Sequence, residues 1–533
     1  CFKTTVEVTV FIIFRHNENS YFNSSFEAPA KLGSYFGNVV KGHSKVEDTP
    51  FAKGESTKEM LGQWRKVLES ISDKWPSLFE YEIDLANKVG PMSIELPLEA
   101  RMDDIRSYYD GILLPSTALS DSAIHAVISE FSQVRGLSVR SQFRTVELMR
   151  KSTNSGSPFF TRRRLVTKKT CPADVWWWRE SVYQNLPPDD EYYACAILGW
   201  RGQEGGPSVD DVKQRVIWMF PYAVNLCELQ VYQPLIEAAQ KFDLVSAWVS
   251  MDAVDKKITA LFDSKGADDL VVCTDFTKFD QHFNAHMQEA AKAILTAILT
   301  HNASSNEWLR RTFPIKYMIP LAYNMGKVKF GKHGMGSGSG GTNADETLAH
   351  RALQYEAAQL AGAKLNPYSQ CLGDDGVICY PGITVDKVVD AYTSHGLEMN
   401  KDKQYASTQD CIYLRRWHHK DYRMDGVCAG VYSTMRALGR MRYLERHMDP
   451  EVWDAEAVEL RWLSILENVK YHPLKEEFVQ FCMKRDKFRL GLDLPGFLLN
   501  IRAVAQRKVN LMPDLLGYTK TLQSSGDPLG GIE

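Results

Sequence analysis

Leu270-Val271-Val272-Cys273-Thr274-Asp275-Phe276-Thr277-Lys278-Phe279-Asp280 and, further on, Cys371-Leu372-Gly373-Asp374-Asp375-Gly376-Val377-Ile378-Cys379-Tyr380 decide how this chain folds. The apolar run Leu270 to Cys273 ahead of Asp275 reads as a buried strand with a carboxylate at its end. In the second stretch, Asp374 and Asp375 stand between two short apolar runs, which reads as a hairpin with carboxylates at its tip. A strand end beside a hairpin tip brings Asp275 and Asp374 together, although 99 residues separate them. Paired carboxylates of that kind hold two Mg²⁺ ions roughly 3.5–4 Å apart for an in-line phosphoryl displacement. Between the two stretches lies a loop, Gly331 to Gly341, with six glycines. It carries Gly336-Ser337-Gly338 and is followed by Thr342. Each fragment alone reads more simply as a solvated turn; their order and spacing point to one phosphoryl-transfer site.

Composition fits without deciding. The chain has 533 residues, 44% of them apolar and 24% charged, enough for three to four domains or subdomains with large cores. Net charge is only −3, so attraction to a polyanion must be local. It is: between Arg140 and Lys169 nine basic residues face a single acid, Glu147. The ten cysteines show no CxxC pair and no metal-ligand spacing, which suits buried thiols in a reducing compartment. No apolar stretch approaches the ~20 residues of a membrane span. Val8 to Phe14, flanked by Glu7 and Arg15, reads as a strand rather than a signal peptide.

Residues 16–60 are polar and rich in Gly, Ser and Asn and read as an extended arm. Met60, Leu61, Trp64, Val67 and Leu68 then begin a helical pattern. Helices are predicted over 285–300, 342–360 and 385–394, and a basic helical region over 432–508.

These motifs together resemble the RNA-dependent RNA polymerases of positive-strand and double-stranded RNA viruses. Within that class the chain is most similar to picobirnavirus enzymes, with partitivirus polymerases as relatives. The resemblance covers roughly residues 150–420. Thr153-Asn154-Ser155-Gly156-Ser157-Pro158 resembles the loop that admits template, Lys213-Gln214-Arg215-Val216-Ile217 the nucleotide channel, and Tyr413-Leu414-Arg415-Arg416 the primer-grip hairpin. The implied fold is α+β, a closed right hand of fingers, palm and thumb with an antiparallel palm sheet and N-terminal material bridging fingers to thumb. The expected division is an N-terminal extension with fingers over 1–240, palm over 241–300, a fingers insertion over 301–333, palm again over 334–430, and thumb with C-terminal tail over 431–533.

Implied activity is template-directed RNA synthesis by two-metal chemistry, without a protein primer, on a viral and double-stranded genome. Asp275 and Asp374 are the expected ligands of Mg²⁺, with Mn²⁺ as an in vitro substitute; Asp375 is a third carboxylate that ligates one ion or shapes the field. Asp280, with Ser337 and Thr342, matches the positions that sense the ribose 2′-hydroxyl, which both donates and accepts a hydrogen bond. A helix N-cap is the structural alternative for Asp280. Relatives carry Asn nine residues after the loop Ser, where this chain has Glu346; Asn343, three residues earlier, is the other candidate for the ribose contact. On a helix Thr342 and Glu346 share a face and Asn343 points about 100° away. A Glu facing Asp280 needs a proton, a water or a cation.

Lys213 and Arg215 alternate on a strand-like stretch and so point one way, as a triphosphate channel needs; a solvated face is the alternative. Lys403 resembles the donor of a proton to pyrophosphate, with Lys401 as competitor. Thr153, Ser155, Gly156, Arg162 and Arg163 are expected on the template, and Arg415 and Arg416 on the template–product duplex. Arg436, Arg440, Arg442 and Arg446 follow the duplex or coat a solvated helix, while Trp176-Trp177-Trp178 and His418-His419 read as core and surface. An apolar patch and Tyr518 in the tail from Leu511 to Glu533 read as an initiation platform or as a plain terminus. Expected partners are the RNA template, the product duplex, ribonucleoside triphosphates and a capsid protein, with no membrane. The expected location is the virion interior and the host cytoplasm. The alternative from another class is a non-enzymatic RNA-binding structural protein on a polymerase fold. A DNA-dependent or reverse-transcribing enzyme is disfavoured by Asp280, where an aromatic would be expected.

Overall fold

A computed structural model describes residues 22, 25–27 and 29–509. Val8 to Phe14 and the tail from Leu511 lie outside the described residues. The strands are β1 (Asp174–Trp178), β2 (Ser181–Leu186), β3 (Asp190–Ala194), β4 (Ala196–Gln203), β5 (Lys213–Met219), β6 (Val271–Thr274), β7 (Leu321–Asn324), β8 (Lys327–Lys329), β9 (Gln370–Leu372), β10 (Asp375–Ile378), β11 (Tyr405–Ser407), β12 (Asp410–Tyr413) and β13 (Arg416–His419), with short pairings beyond.

The sheet that matters has the order β11-β6-β10-β9, with every pairing antiparallel. Its strands are β-branched and apolar because both faces are covered: Val271, Val272, Val377 and Ile378 are all fully buried. Helices Ala285–Ile298 and Thr342–Leu360 contribute Ile294, Leu295, Leu348 and Leu353 to the same core. A second sheet, β5-β4-β7-β8, is closed by strands that return from far along the chain. Its core holds Leu198, Trp218 and Leu321. A third core gathers Trp64, Trp417, Trp462 and Phe478.

The arm expected over 16–60 is not extended throughout. Pro29–Lys41 is a helix, because Leu32, Phe36 and Val39 at near-helical spacing all reach the second core. Helix Thr57–Leu68 starts as read, on a Ser56–Glu59 capping box, and buries Met60, Trp64 and Leu68 in the third core. The N-terminal segment therefore spans two cores. Residues 88–95 complete the bridge. Gly90 lies against the backbone at Gly206, and Val89 lies against Gly439 of helix Thr434–Arg442. Arg201 to Glu445 (2.6 Å) and Arg436 to Glu204 tie the same two sides together by charge.

The predicted helices are present as Ala285–Ile298, Thr342–Leu360 and Val385–Ser394, and the C-terminal region is helical. All nine cysteines described are free thiols, and eight are buried. Among the described residues no helix is long and apolar enough to cross a membrane.

Candidate active site

Asp374 sits in the two-residue loop joining β9 to β10, where Leu372 pairs with Asp375. Such a loop places a positive φ on its first residue, and Gly373 supplies it at +58°. Helix Thr342–Leu360 anchors the tip: Gly373 N–H donates to Thr347 Oγ1 (2.9 Å), and its carbonyl meets His350 Nδ1 at 2.8 Å. Burial lowers the His350 pKa to about 4, so the ring is neutral and donates through Nδ1. β6 ends directly opposite, with Thr274 paired to Gly376. Asp275 therefore emerges beside the tip, and strand end and hairpin meet as read from sequence.

Asp275 and Asp374 are both exposed. Desolvation by the surrounding walls, then the charge of Asp280, raises the Asp374 carboxyl above its ordinary value, with Arg215 opposing and Asp275 adding to the rise. Asp375 is engaged differently. Its carboxylate accepts the Leu414 N–H at 2.8 Å, and burial followed by Asp374 lifts its pKa to about 7. Among the described residues no three His, Cys, Asp or Glu side chains stand close enough to make a protein-only metal cage. The donor set nevertheless fits a divalent cation of the Mg²⁺ type, which takes one or two carboxylates and completes its shell with water and substrate phosphates. Converging negative charge at Asp374, Asp275 and Asp280 is what such an ion would relieve.

Asp280 caps nothing: helix Phe279–His282 starts from Lys278 without a side-chain cap. The Asp280 carbonyl accepts Met335 N–H (2.8 Å), which fastens this turn to the glycine loop. Glu346, only 5% exposed, is the helix residue beside Asp280, and its Oε1 has no hydrogen-bond partner. Burial, then the Asp280 charge, raises the Glu346 carboxyl well above the carboxylate range, so it keeps its proton. Asn343 is instead held by Trp248 Nε1 (2.8 Å). Ser337 Oγ accepts Trp218 N–H at 3.0 Å, while Thr342 Oγ1 donates to the Gly336 carbonyl at 2.9 Å and braces the loop. At Gly338 a Cβ would overlap the Trp218 carbonyl, so only glycine fits.

Sequence reading missed the loop's supports. Glu228, fully buried, accepts from Ser339 Oγ, from Gly340 N–H (3.1 Å) and from Asn225 Nδ2 (3.0 Å). Asp345 is buried with Lys316 (3.0 Å), Tyr232 (2.7 Å) and Tyr317 (2.6 Å). An acid inside a helix with an apolar face was the available signal; its partners were not readable.

Lys213 and Arg215 are both exposed on β5 and face one side, as expected. Burial, then the like charge of Lys88, lowers the Lys213 ammonium, with Arg215 and Lys403 adding to it and Asp275 opposing. Lys88, Arg215 and Lys403 thus gather around Lys213, with Asp275 acting on the same ammonium, an arrangement that suits a polyphosphate. Of the two candidate lysines, Lys401 pairs with Asp390 (3.3 Å) and Asp386 (3.5 Å), whereas Lys403 is exposed and its charge acts on Lys213.

Of the residues expected on RNA, Thr153, Arg162 and Arg415 are exposed. Ser155 is buried and holds its loop through Thr161 N–H (3.1 Å), and Gly156 is buried at φ +60° beside Phe220, so both shape the loop rather than offer a free group. Two expectations are overturned. Arg163 is 9% exposed and spends its guanidinium on Asn225 (2.6 Å) and the Asn154 carbonyl (3.1 Å). Arg416 is 8% exposed and grips Asp255 with two bonds of 2.8 and 2.9 Å. Both are internal struts, unavailable to phosphate. Arg436 likewise serves Glu204, with Arg440 at 3.7 Å from the same carboxylate, and Arg442 contacts Asp48 at 3.4 Å. His418 is buried, with Nε2 at 2.8 Å from Asp255.

A strand-end aspartate, a hairpin aspartate at its side, a braced Ser-Gly loop and a cationic strand above them define a right-hand polymerase with an antiparallel palm. The profile of the viral RNA-dependent RNA polymerases matches residues 90–482, and the chain belongs to that family. It is 58% identical over 497 residues to a "Potential RNA-dependent RNA polymerase" of human picobirnavirus, which covers 93% of this chain and 92% of the relative. The crystal structure of the RNA-dependent RNA polymerase of a human picobirnavirus is 56% identical, with a TM-score of 0.91 over 94% of this chain and 95% of that one. An insertion-loop deletion mutant of such a polymerase gives 56% identity and a TM-score of 0.90 over 92% of this chain and 97% of that one. The chain is thus an RNA-directed RNA polymerase that binds RNA and nucleotides, and enzymes of this kind need divalent metal ions.

Proposed function

We propose that this polymerase copies a double-stranded viral RNA genome, in replication and in transcription, by two-metal nucleotidyl transfer that starts without a protein primer. The carrying observation is the convergence of Asp275 and Asp374 on one face of the β6–β10 junction, with the cations Lys213, Arg215 and Lys403 opposite. When bound, Mg²⁺, or Mn²⁺ in vitro, would supply Lewis-acid stabilisation of charge at phosphorus and on the leaving oxygen. Asp275 and Asp374 would hold it, and Asp375, tied to Leu414, orients the hairpin and sets the field.

Around that centre Lys213 and Arg215 fix the triphosphate, and Lys403 gives a proton to the departing pyrophosphate. Asp280, hydrogen-bonded by protonated Glu346, offers its free lone pairs to the ribose 2′-hydroxyl, while Ser337 and Thr342 keep the loop in place behind the sugar. Thr153 and Arg162 meet the template, and Arg415 meets the duplex at the tip of β12–β13. The division into fingers (1–240 with 301–333), palm (241–300 with 334–430) and thumb (431–533) is part of this reading; the pairing of β7 with β4 supports returning 301–333 to the fingers. So too are a capsid protein as partner, work in the virion interior, and presence in the host cytoplasm.

Purified protein, a single-stranded RNA template and Mg²⁺, supplied with ribonucleotides or deoxyribonucleotides and no primer, tests it. Full-length product from ribonucleotides alone is expected. Product only when a primer is annealed would remove primer independence.

A further inference from the structure

The buried amide of Gln404 uses every polar atom it has. Its Oε1 accepts the backbone N–H of Asp275 at 2.7 Å, and its Nε2 donates to the carbonyl of the same residue at 2.9 Å. The second proton of Nε2 goes to the Asn400 carbonyl, also at 2.9 Å. These bonds stand where a ladder breaks. β11 pairs with β6 only up to Tyr405 opposite Cys273. Continued in register, residues 404 and 403 would come opposite 274 and 275. The chain turns away instead, into the single 3₁₀ turn Lys401–Lys403, closed by Lys403 N–H on the Asn400 carbonyl (3.1 Å). The Gln404 side chain takes the ladder position that the Lys403 backbone gives up, and pairs with both polar groups of Asp275 as a strand residue would. Asp275 is thereby fixed at its backbone, while Lys403 is left exposed in the cationic group beside it. A plain strand-end cap would need one of these bonds; the third, to Asn400, ties the same amide to the turn that carries Lys403.

We propose that Gln404 is a positioning residue that sets Asp275 and Lys403 relative to one another, so that metal-binding carboxylate and proton donor are aligned as one unit. The proposal rests on the two-metal reading and on the Lys403 assignment above. The test uses the full chain and single-nucleotide incorporation on an annealed primer–template, with Gln404→Leu, Lys403→Ala and the double variant. Partners that orient metal ligands are typically worth about 10–100-fold in activity or metal affinity. Gln404→Leu should therefore lower the maximal rate about 10–100-fold and raise the Mg²⁺ concentration at half-maximal rate several-fold. Nucleotide KM and RNA affinity should stay within about two-fold of wild type. Lys403→Ala should cost about 100-fold in the wild-type background, as loss of a general acid does, and under about three-fold when Gln404 is already Leu. If the Leu variant does not fold, the near-isosteric Gln404→Glu, which loses both donated bonds, should give the same pattern. Additive losses, or a rate loss with an unchanged Mg²⁺ requirement, would overturn the proposal and leave Gln404 a structural prop. A wild-type rate in Lys403→Ala also overturns it. Failure of the two-metal reading is a separate result, visible as activity retained by Asp275→Asn.

Discussion

Arg416→Ala should destabilise the protein and leave its grip on RNA unchanged. The guanidinium makes two bonds of 2.8 and 2.9 Å to Asp255, a carboxylate only 2% exposed. The remaining donors to Asp255 are His418 Nε2 (2.8 Å) and Gly430 N–H (3.1 Å). Burial alone would push the Asp255 carboxyl up; His418 and Arg416 more than offset it, and the net shift is downward. Each charge-assisted bond is worth about 1.5–3 kcal/mol. Removing one member of a buried pair costs about 3–5 kcal/mol, because the other charge stays behind without compensation. At an m-value of about 3 kcal/mol/M, the urea midpoint should fall by about 1–1.7 M. Asp255→Asn combined with Arg416→Met should lose less, since the stranded charge is gone while Gly430 N–H keeps an acceptor. The assay is urea unfolding followed by tryptophan fluorescence, with Trp417 buried next door, beside filter binding of a primer–template. An unchanged midpoint with RNA affinity reduced ten-fold or more would refute the strut and restore Arg416 to the nucleic acid.

Asp275→Asn and Asp374→Asn should each lower incorporation about 10³-fold or more, the several kcal/mol that metal-borne charge stabilisation supplies, with RNA binding intact; Asp375→Asn, whose amide still accepts the Leu414 N–H, should lose less. Measured in Mg²⁺, near-wild-type rates for either of the first two would end the metal assignment. Asp280→Ala should lower the ribo-to-deoxyribonucleotide ratio of kcat/KM more than it lowers ribonucleotide turnover, and an unchanged ratio would release Asp280 from the sugar. Lys213→Ala and Arg215→Ala should raise nucleotide KM with template affinity nearly constant; the reverse pattern in a filter-binding titration would move them to the template path. For Glu346 the sign is fixed by its raised carboxyl: the folded form holds a proton that the unfolded chain releases near the usual Glu range of about 4.3, so stability is lost as pH rises above that range. Glu346→Gln removes this slope, and its urea midpoint should gain on wild type between pH 5 and pH 8; parallel curves would show Glu346 already ionised.

How much of this was readable from sequence depended on how local the physics is. The strand ending in Asp275, the hairpin bearing Asp374 and the Lys213–Arg215 strand were readable because alternation, apolar runs and turn glycines act over a few residues. The conflict between Glu346 and Asp280 was visible too, since helical spacing alone puts Glu346 on the face of Thr342. Charge, by contrast, does not name its partner. Arg416 and Arg163 read as RNA-binding from their neighbours in sequence, yet Asp255 lies 161 positions from the first and Asn225 62 from the second. Gln404, Glu228 and Asp345 carry no motif, and their work is known only once their hydrogen bonds are seen. The helix Pro29–Lys41 was hidden because its three buried residues stand in a stretch whose composition says coil.

The strap of residues 88–95, with the Arg201–Glu445 and Arg436–Glu204 ties beside it, joins the two sides of the hand across the top. An RNA strand lying between the two sides so joined would have to be threaded in from an end rather than laid in sideways. Such a strand would depart only by running through, and persistence on a long template would become a matter of topology rather than of tight grip. Contacts to the phosphates can then stay weak enough for the duplex to slide one nucleotide at a time.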